Sequence, residues 1–180
     1  MAVCSTVLPA VNADLCAPGV HYGQINQLYF TRLGDGLTDW SSLSEWNGRL
    51  DQDDALPALP TKAKIRTLYG IGSLAEPEQP VIEISRNRKV YGTPKFSITF
   101  EVEDTGDTNW NTFMRGLPVG GQVYSVWFGS ESRLFGGDDG IEATVVANPI
   151  IPQSKDELKK IAVTVSWEGT IPEAQDNILS

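Results

Sequence analysis

Apolar and polar side chains alternate without a break from Lys95 to Glu103. Phe96, Ile98, Phe100 and Val102 fall on one face, and Lys95, Ser97, Thr99, Glu101 and Glu103 on the other. Successive side chains of an extended backbone point to opposite faces, so this stretch predicts a strand with one face in a core and one in water. The same period returns at Ile141, Ala143, Val145 and Ala147, and again at Ile161, Val163, Val165 and Trp167. Residues 123–128 are nearly all apolar, which predicts a strand that is central or covered on both faces. A chain with this many half-buried strands has to gather them over a shared core.

The remaining segments fill in the order. Gln27–Leu33 predicts a strand stopped by Gly34-Asp35-Gly36. Trp40, Leu43, Trp46 and Leu50 recur at spacings of three, three and four, which predicts a short helix over 40–47 ended at Gly48. Lys62, Lys64 and Arg66 alternate with Ala63, Ile65 and Thr67, a further strand. Glu76–Pro80 breaks the chain, and Val81–Ile84 resumes it. After Glu103 the pattern changes. Asp107 or Thr108 can cap a helix whose Trp110, Phe113, Met114 and Leu117 form one apolar stripe, closed by Gly116 and Pro118. So short a helix is marginal by its own hydrogen bonds, so its stripe has to pack on a sheet. Gly136–Gly140 and Asn148-Pro149 read as turns. Strands, one helix, then strands, with no βαβ alternation, predict an α+β, mostly β fold: two packed antiparallel sheets, a sandwich or open barrel, flanked by one main helix. Residues 1–20 read as a flexible or partner-ordered arm, and 21–180 as a single β-rich domain with an extended basic loop or hairpin at about 61–93.

Composition narrows the function classes. The 180 residues carry a net charge of −9, which opposes tight binding to nucleic acid backbones and to anionic membranes. No stretch approaches the roughly 20 uncharged apolar residues of a membrane-spanning helix. Cys4 and Cys16 are too few for a disulfide scaffold and read as free thiols. No Lys or Arg precedes Arg32, and Pro9, Asn12 and Asp14 interrupt the apolar residues, so the first 20 residues do not read as a secretory signal.

Candidate chemistry is sparse. His21 stands alone, without ligand partners at zinc spacing. Asp51, Asp53 and Asp54 resemble the start of a calcium loop, but position twelve is Lys62 rather than Glu. Asp138 and Asp139 between glycines read as a solvated turn. Gly70-Ile71-Gly72 lacks the third glycine and the helix of a dinucleotide fingerprint, and Gly129-Ser130 lacks the second glycine of a nucleophile elbow. Glu101 and Glu103 lie on the polar side of a strand rather than in a buried acid–base pair. The expectation is no enzyme, no cofactor and no metal.

One segment is polarised. Between 61 and 95, seven basic residues (Lys62, Lys64, Arg66, Arg86, Arg88, Lys89 and Lys95) face Glu76, Glu78 and Glu83. That segment is +4, and with −9 overall the remainder is −13. A solvated hairpin face explains this, or a basic projection that meets an acidic surface on another copy. With no catalytic motif, the second reading makes the chain an assembly subunit whose interface holds Lys62, Lys64, Arg66, Arg86, Arg88 and Lys89.

From about Pro94 to Ile171 the chain resembles the tail tube (major tail) proteins of tailed bacteriophages. The resemblance rests on Phe96–Asp104, then Asn109-Trp110-Asn111-Thr112-Phe113, then Tyr124–Phe128, and on the closing Ala162–Gly169 with its Trp-Glu-Gly end. It implies a virion protein, made in the host cytoplasm, whose copies close into hexameric rings that stack into a tube. Its partners would be copies of itself and other virion proteins, with DNA only as passing cargo through an acidic lumen and no membrane. It also implies an extended loop that clasps the neighbouring ring, for which residues 61–93 are the candidate. The alternatives are a capsid or neck accessory protein, and a surface carbohydrate-binding module using Trp40, Trp46 or Trp127.

Overall fold

Six antiparallel strands close on themselves. In the computed structural model, which describes residues 23–50, 62–85, 88–104, 122–150 and 159–179, the chain runs through ten strands and one short helix. These are β1 (Ile25–Arg32), α1 (Leu43–Leu50), β2 (Arg66–Leu74), β3 (Val81–Ser85), β4 (Arg88–Tyr91), β5 (Lys95–Glu103), β6 (Val123–Gly129), β7 (Arg133–Phe135), β8 (Ile141–Ile150), β9 (Lys160–Glu168) and β10 (Ala174–Asp176). The order β1-β2-β5-β9-β8-β6 returns to β1, because β1 pairs with β2 on one side and with β6 on the other. β7 and β10 extend the sheet beyond β6, and β3–β4 form a separate two-stranded sheet. The arm at 1–20 with Cys4 and Cys16, His21, Asp51, Asp53, Asp54, Arg86 and the helix expected around Trp110 lie outside the described residues.

Among the described residues the fold is mostly β, as expected, with one short helix; of the sandwich or open barrel expected for it, one sheet closes into a barrel rather than two sheets packing face to face. Leu28 of β1 faces Leu68 on one neighbour and Phe128 on the other, so the same strand completes the ring from both sides. Closure removes the unpaired edges that a sandwich leaves. The alternating residues of β5, β8 and β9 fill the interior with Leu28, Phe30, Leu68 and Val126, and Phe96 stacks on Trp167 at 5.2 Å. Gly70 and Gly72 belong to this interior rather than to any phosphate loop. A Cβ on Gly72 would lie 2.5 Å from Cδ2 of the buried Phe100, so the ring occupies the space of the missing side chain.

A second core sits outside the barrel, over β1 and β6. Tyr29, Trp127, Ile65, Leu37 and Leu134 enclose Trp46 of α1, and Trp46 lies edge-on to both Tyr29 and Trp127 at 5.2 and 5.5 Å. This is why 123–128 is apolar on both faces. The turn after β7 presses on Trp127: Gly137 O accepts its Nε1–H at 2.7 Å, and Gly136, Gly137 and Gly140 all have positive φ. Asp138 is more than a solvated residue there, because its Oδ1 accepts the Trp40 N–H and its carbonyl the Leu37 N–H.

The helix runs 43–50, later than expected. Ser42 caps it through its hydroxyl and carbonyl, which accept the N–H of Glu45 and of Trp46. Gly48 stays helical and Arg49 supplies the anchor beyond it. The buried Arg49 guanidinium donates to the carbonyls of Ala63, Asp35 and Gly36, tying α1 to the chain before and after it. Burial draws this guanidinium below its ordinary pKa, against the pull of Asp35 and Glu45.

Candidate assembly surface

β3 and β4 continue the line of β2 and β5 but leave the barrel. The β2–β5 ladder ends at Leu74–Ile98; Glu78 and Lys95 then bridge, Pro80 O accepts the Gly92 N–H, and Val81–Tyr91 opens the hairpin. The two prolines, Pro77 and Pro80, and Gly92 at the root mark where the ribbon passes from barrel to projection. Lys95 at this root is ion-paired with Glu168 at 2.9 Å, and the hydrogen bond and charge of Glu168 raise its pKa.

Among the described residues the hairpin has no core: Val81, Ile82, Ile84, Val90 and Tyr91 are exposed over 40–62% of their surface on a sheet with no third strand. Such a hairpin is marginal alone. Ile82 and Val90 are register partners on one face, while the opposite face carries Val81 and Tyr91 and then the Glu83–Lys89 ion pair at 3.2 Å. A ribbon rooted in the barrel wall with apolar side chains on both faces is suited to insertion against another surface.

The predicted basic set is divided. Arg88 and Lys89 lie on the exposed β4, with Lys89 neutralised by Glu83. Lys62 and Lys64 precede β2 and border the outer core. Lys62 Nζ lies 3.2 Å from Thr38 Oγ1 and 3.8 Å from Glu45 Oε1, and the Lys64 carbonyl accepts the Thr31 hydroxyl at 2.9 Å. Arg66 opens β2 on the barrel wall. Glu45 is partly desolvated, which works upward, but the N–H groups of Thr38 and Asp39 and the charge of Lys62 hold its carboxyl below the usual range. The expected strand over 62–67 starts only at Arg66, because Ile65 turns in to the outer core, its N–H donating to Arg49 O.

The aliphatic side chains of the hairpin are what sequence reasoning passed over. The sequence reads Val81–Ile84 as a strand and 61–93 as a basic loop or hairpin; the pairing of Val81–Ser85 with Arg88–Tyr91 shows which part of it is the ribbon. The Pro80 and Gly92 brackets were the available signal. Trp46 and Trp127 are fully buried, so the surface on which a carbohydrate module would depend does not contain them. Among the described residues no group of three His, Cys, Asp or Glu side chains is placed to hold a metal, and no helix is long and apolar enough to cross a membrane. Comparison with protein-family models, curated proteins and solved structures finds no match to this chain.

Proposed function

We propose that this chain is a virion structural protein of the tail tube type, whose copies assemble into stacked rings around a conduit for DNA. The observation that carries the reading is the β3–β4 hairpin, an exposed apolar ribbon rooted in the barrel wall. A monomer gains nothing from exposing five large apolar side chains on a sheet without a core, whereas burial of each against a neighbour contributes about 1.5–3 kcal/mol. A hairpin that meets a different surface of the next copy makes a heterologous contact, and heterologous contacts generate rings or open-ended filaments. The net charge of −9 suits a conduit that DNA crosses without adhering. The resemblance of 94–171 to tail tube proteins supports the same reading. Sedimentation at tens of micromolar, with negative-stain microscopy of the sedimenting species, tests it. Rings or tubes far heavier than 19.6 kDa are expected. A strict monomer overturns the proposal, and decoration of preformed shells without tubes favours the accessory role.

A further inference from the structure

The barrel is closed all the way round but not equally. β5 and β9 pair from Lys95–Glu168 to Glu103–Lys160, along the whole of both strands. β2 and β5 pair only from Ile71–Glu101 to Leu74–Ile98. Beyond Ile71, residues 66–69 of β2 pair with β1 alone, and Val102 and Glu103 of β5 pair with β9 alone. The seam therefore opens toward this end of the barrel. A groove of about 390 Å³ lies there, lined by Tyr69, Gly70, Ile71, Glu101, Glu103 and Lys160. Tyr69 and Ile71 are 68% and 64% exposed, so its β2 wall is apolar. Its β5 wall is acidic: Glu101 pairs with Lys160 at 2.9 Å, and Glu103 has no ion pair among the described residues.

We infer that this open seam is the acceptor for the β3–β4 hairpin of a second copy, a conclusion that rests on the assembly reading above and names its missing half. The registers place the two features at opposite ends of one ribbon. From Ile71–Glu101 the pairing runs through Leu74–Ile98 and Glu78–Lys95 to Glu83–Lys89, twelve residues along, or about 40 Å at the rise of a strand. A copy displaced along that axis brings its hairpin to the seam of the next, head to tail. The chemistry matches. Ile82 and Val90 share the hairpin face without the Glu83–Lys89 pair, and meet Tyr69 and Ile71. Arg88, two residues from Val90 on the same strand and so on the same face, meets Glu103. A larger groove, about 520 Å³, lies beside Lys95 and Glu168. It is at the hairpin's own end and its basic residue, Lys95, is already paired with Glu168, so it does not offer the head-to-tail direction.

Two experiments on the full chain test the seam. In a Cys4→Ser, Cys16→Ser background, a chain carrying Ile71→Cys is mixed with one carrying Ile82→Cys and oxidised. A disulfide-linked heterodimer is expected, well above the yield with Glu131→Cys, in the turn between β6 and β7, as the control partner. Separately, Glu103→Arg and Arg88→Glu are each expected to raise the concentration needed for assembly roughly tenfold or more, and the two together in one chain to restore it, since like charges across an interface cost several kcal/mol. If the unmodified chain assembles but the cross-link stays at the control level and the charge swap fails to rescue, the seam is overturned and assembly stands. If the unmodified chain stays monomeric, assembly fails and the seam with it.

Discussion

β6 and the β3–β4 hairpin are made of the same kinds of side chain and have opposite fates. Val123-Tyr124-Ser125-Val126-Trp127-Phe128 and Val81-Ile82-Glu83-Ile84 are both short, β-branched or aromatic stretches. From Val126 to Phe128 every β6 side chain is buried, those pointing in by the barrel and Trp127 by the outer core. In the hairpin both faces are exposed. Strand propensity does not separate them; what lies over each face does. β6 has β1, β8 and β7 beside it and α1 above, while among the described residues β3 has only β4.

Breaking the comparison at its strongest point means removing Trp127. Trp127→Ala is expected to destabilise the fold by about 3–5 kcal/mol in a denaturant melt, because the cavity opens beneath both Trp46 and the glycine turn. A cost near zero would mean that the outer core is not a core. Gly72→Ala comes next, at about 1–3 kcal/mol by the same melt, since its Cβ and the buried Phe100 ring cannot share the space. Tyr29 sharpens the contrast through pH. Burial, with a smaller push from Tyr69, raises its hydroxyl pKa above the ordinary 10.0. The folded state then holds the proton more tightly than the unfolded one, so this contribution is complete below pH 10 and is lost as pH rises further. Thermal melts at increasing alkaline pH should fall, and Tyr29→Phe should flatten part of that slope. The smallest effect on folding belongs to the hairpin. Ile82→Ser with Val90→Ser should change monomer stability by no more than about 0.5 kcal/mol per site, while sedimentation shows assembly lost. A large loss of monomer stability would show that the hairpin packs on its own barrel.

Much of the fold was legible residue by residue. The period of two at β5, β8 and β9 placed Phe96, Ile98, Phe100, Val145, Val163 and Val165 inside, because alternation in a strand and burial on one face are the same fact. The nearly all-apolar run of β6, with Ser125 as its one polar residue, announced two covers. The helix boundary shifted because Ser42 and Arg49, rather than Trp40 and Gly48, carry the end interactions. β7 and β10 are three residues each and too short for any period to show. The charge cluster between 61 and 95 is not one surface, because it mixes side chains from different elements: Arg66 on β2, Arg88 and Lys89 on β4, and Lys95 on β5.

The sequence by itself determined which side of most strands faces a core, the glycine turn at 136–140, and that no stretch of the 180 residues is long and apolar enough for a membrane-spanning helix, whereas the turn expected at Asn148-Pro149 lies within β8, paired to β9. These are local properties, carried by spacing and by the backbone preferences of Gly and Pro. Closure of the barrel, the outer core over Trp46, the departure of the hairpin from the wall and the opening of the β2–β5 seam were decided only by tertiary structure. Each depends on which strand lies beside which, and pairing between Leu28 and Phe128, a hundred residues apart, leaves no periodic trace in either segment.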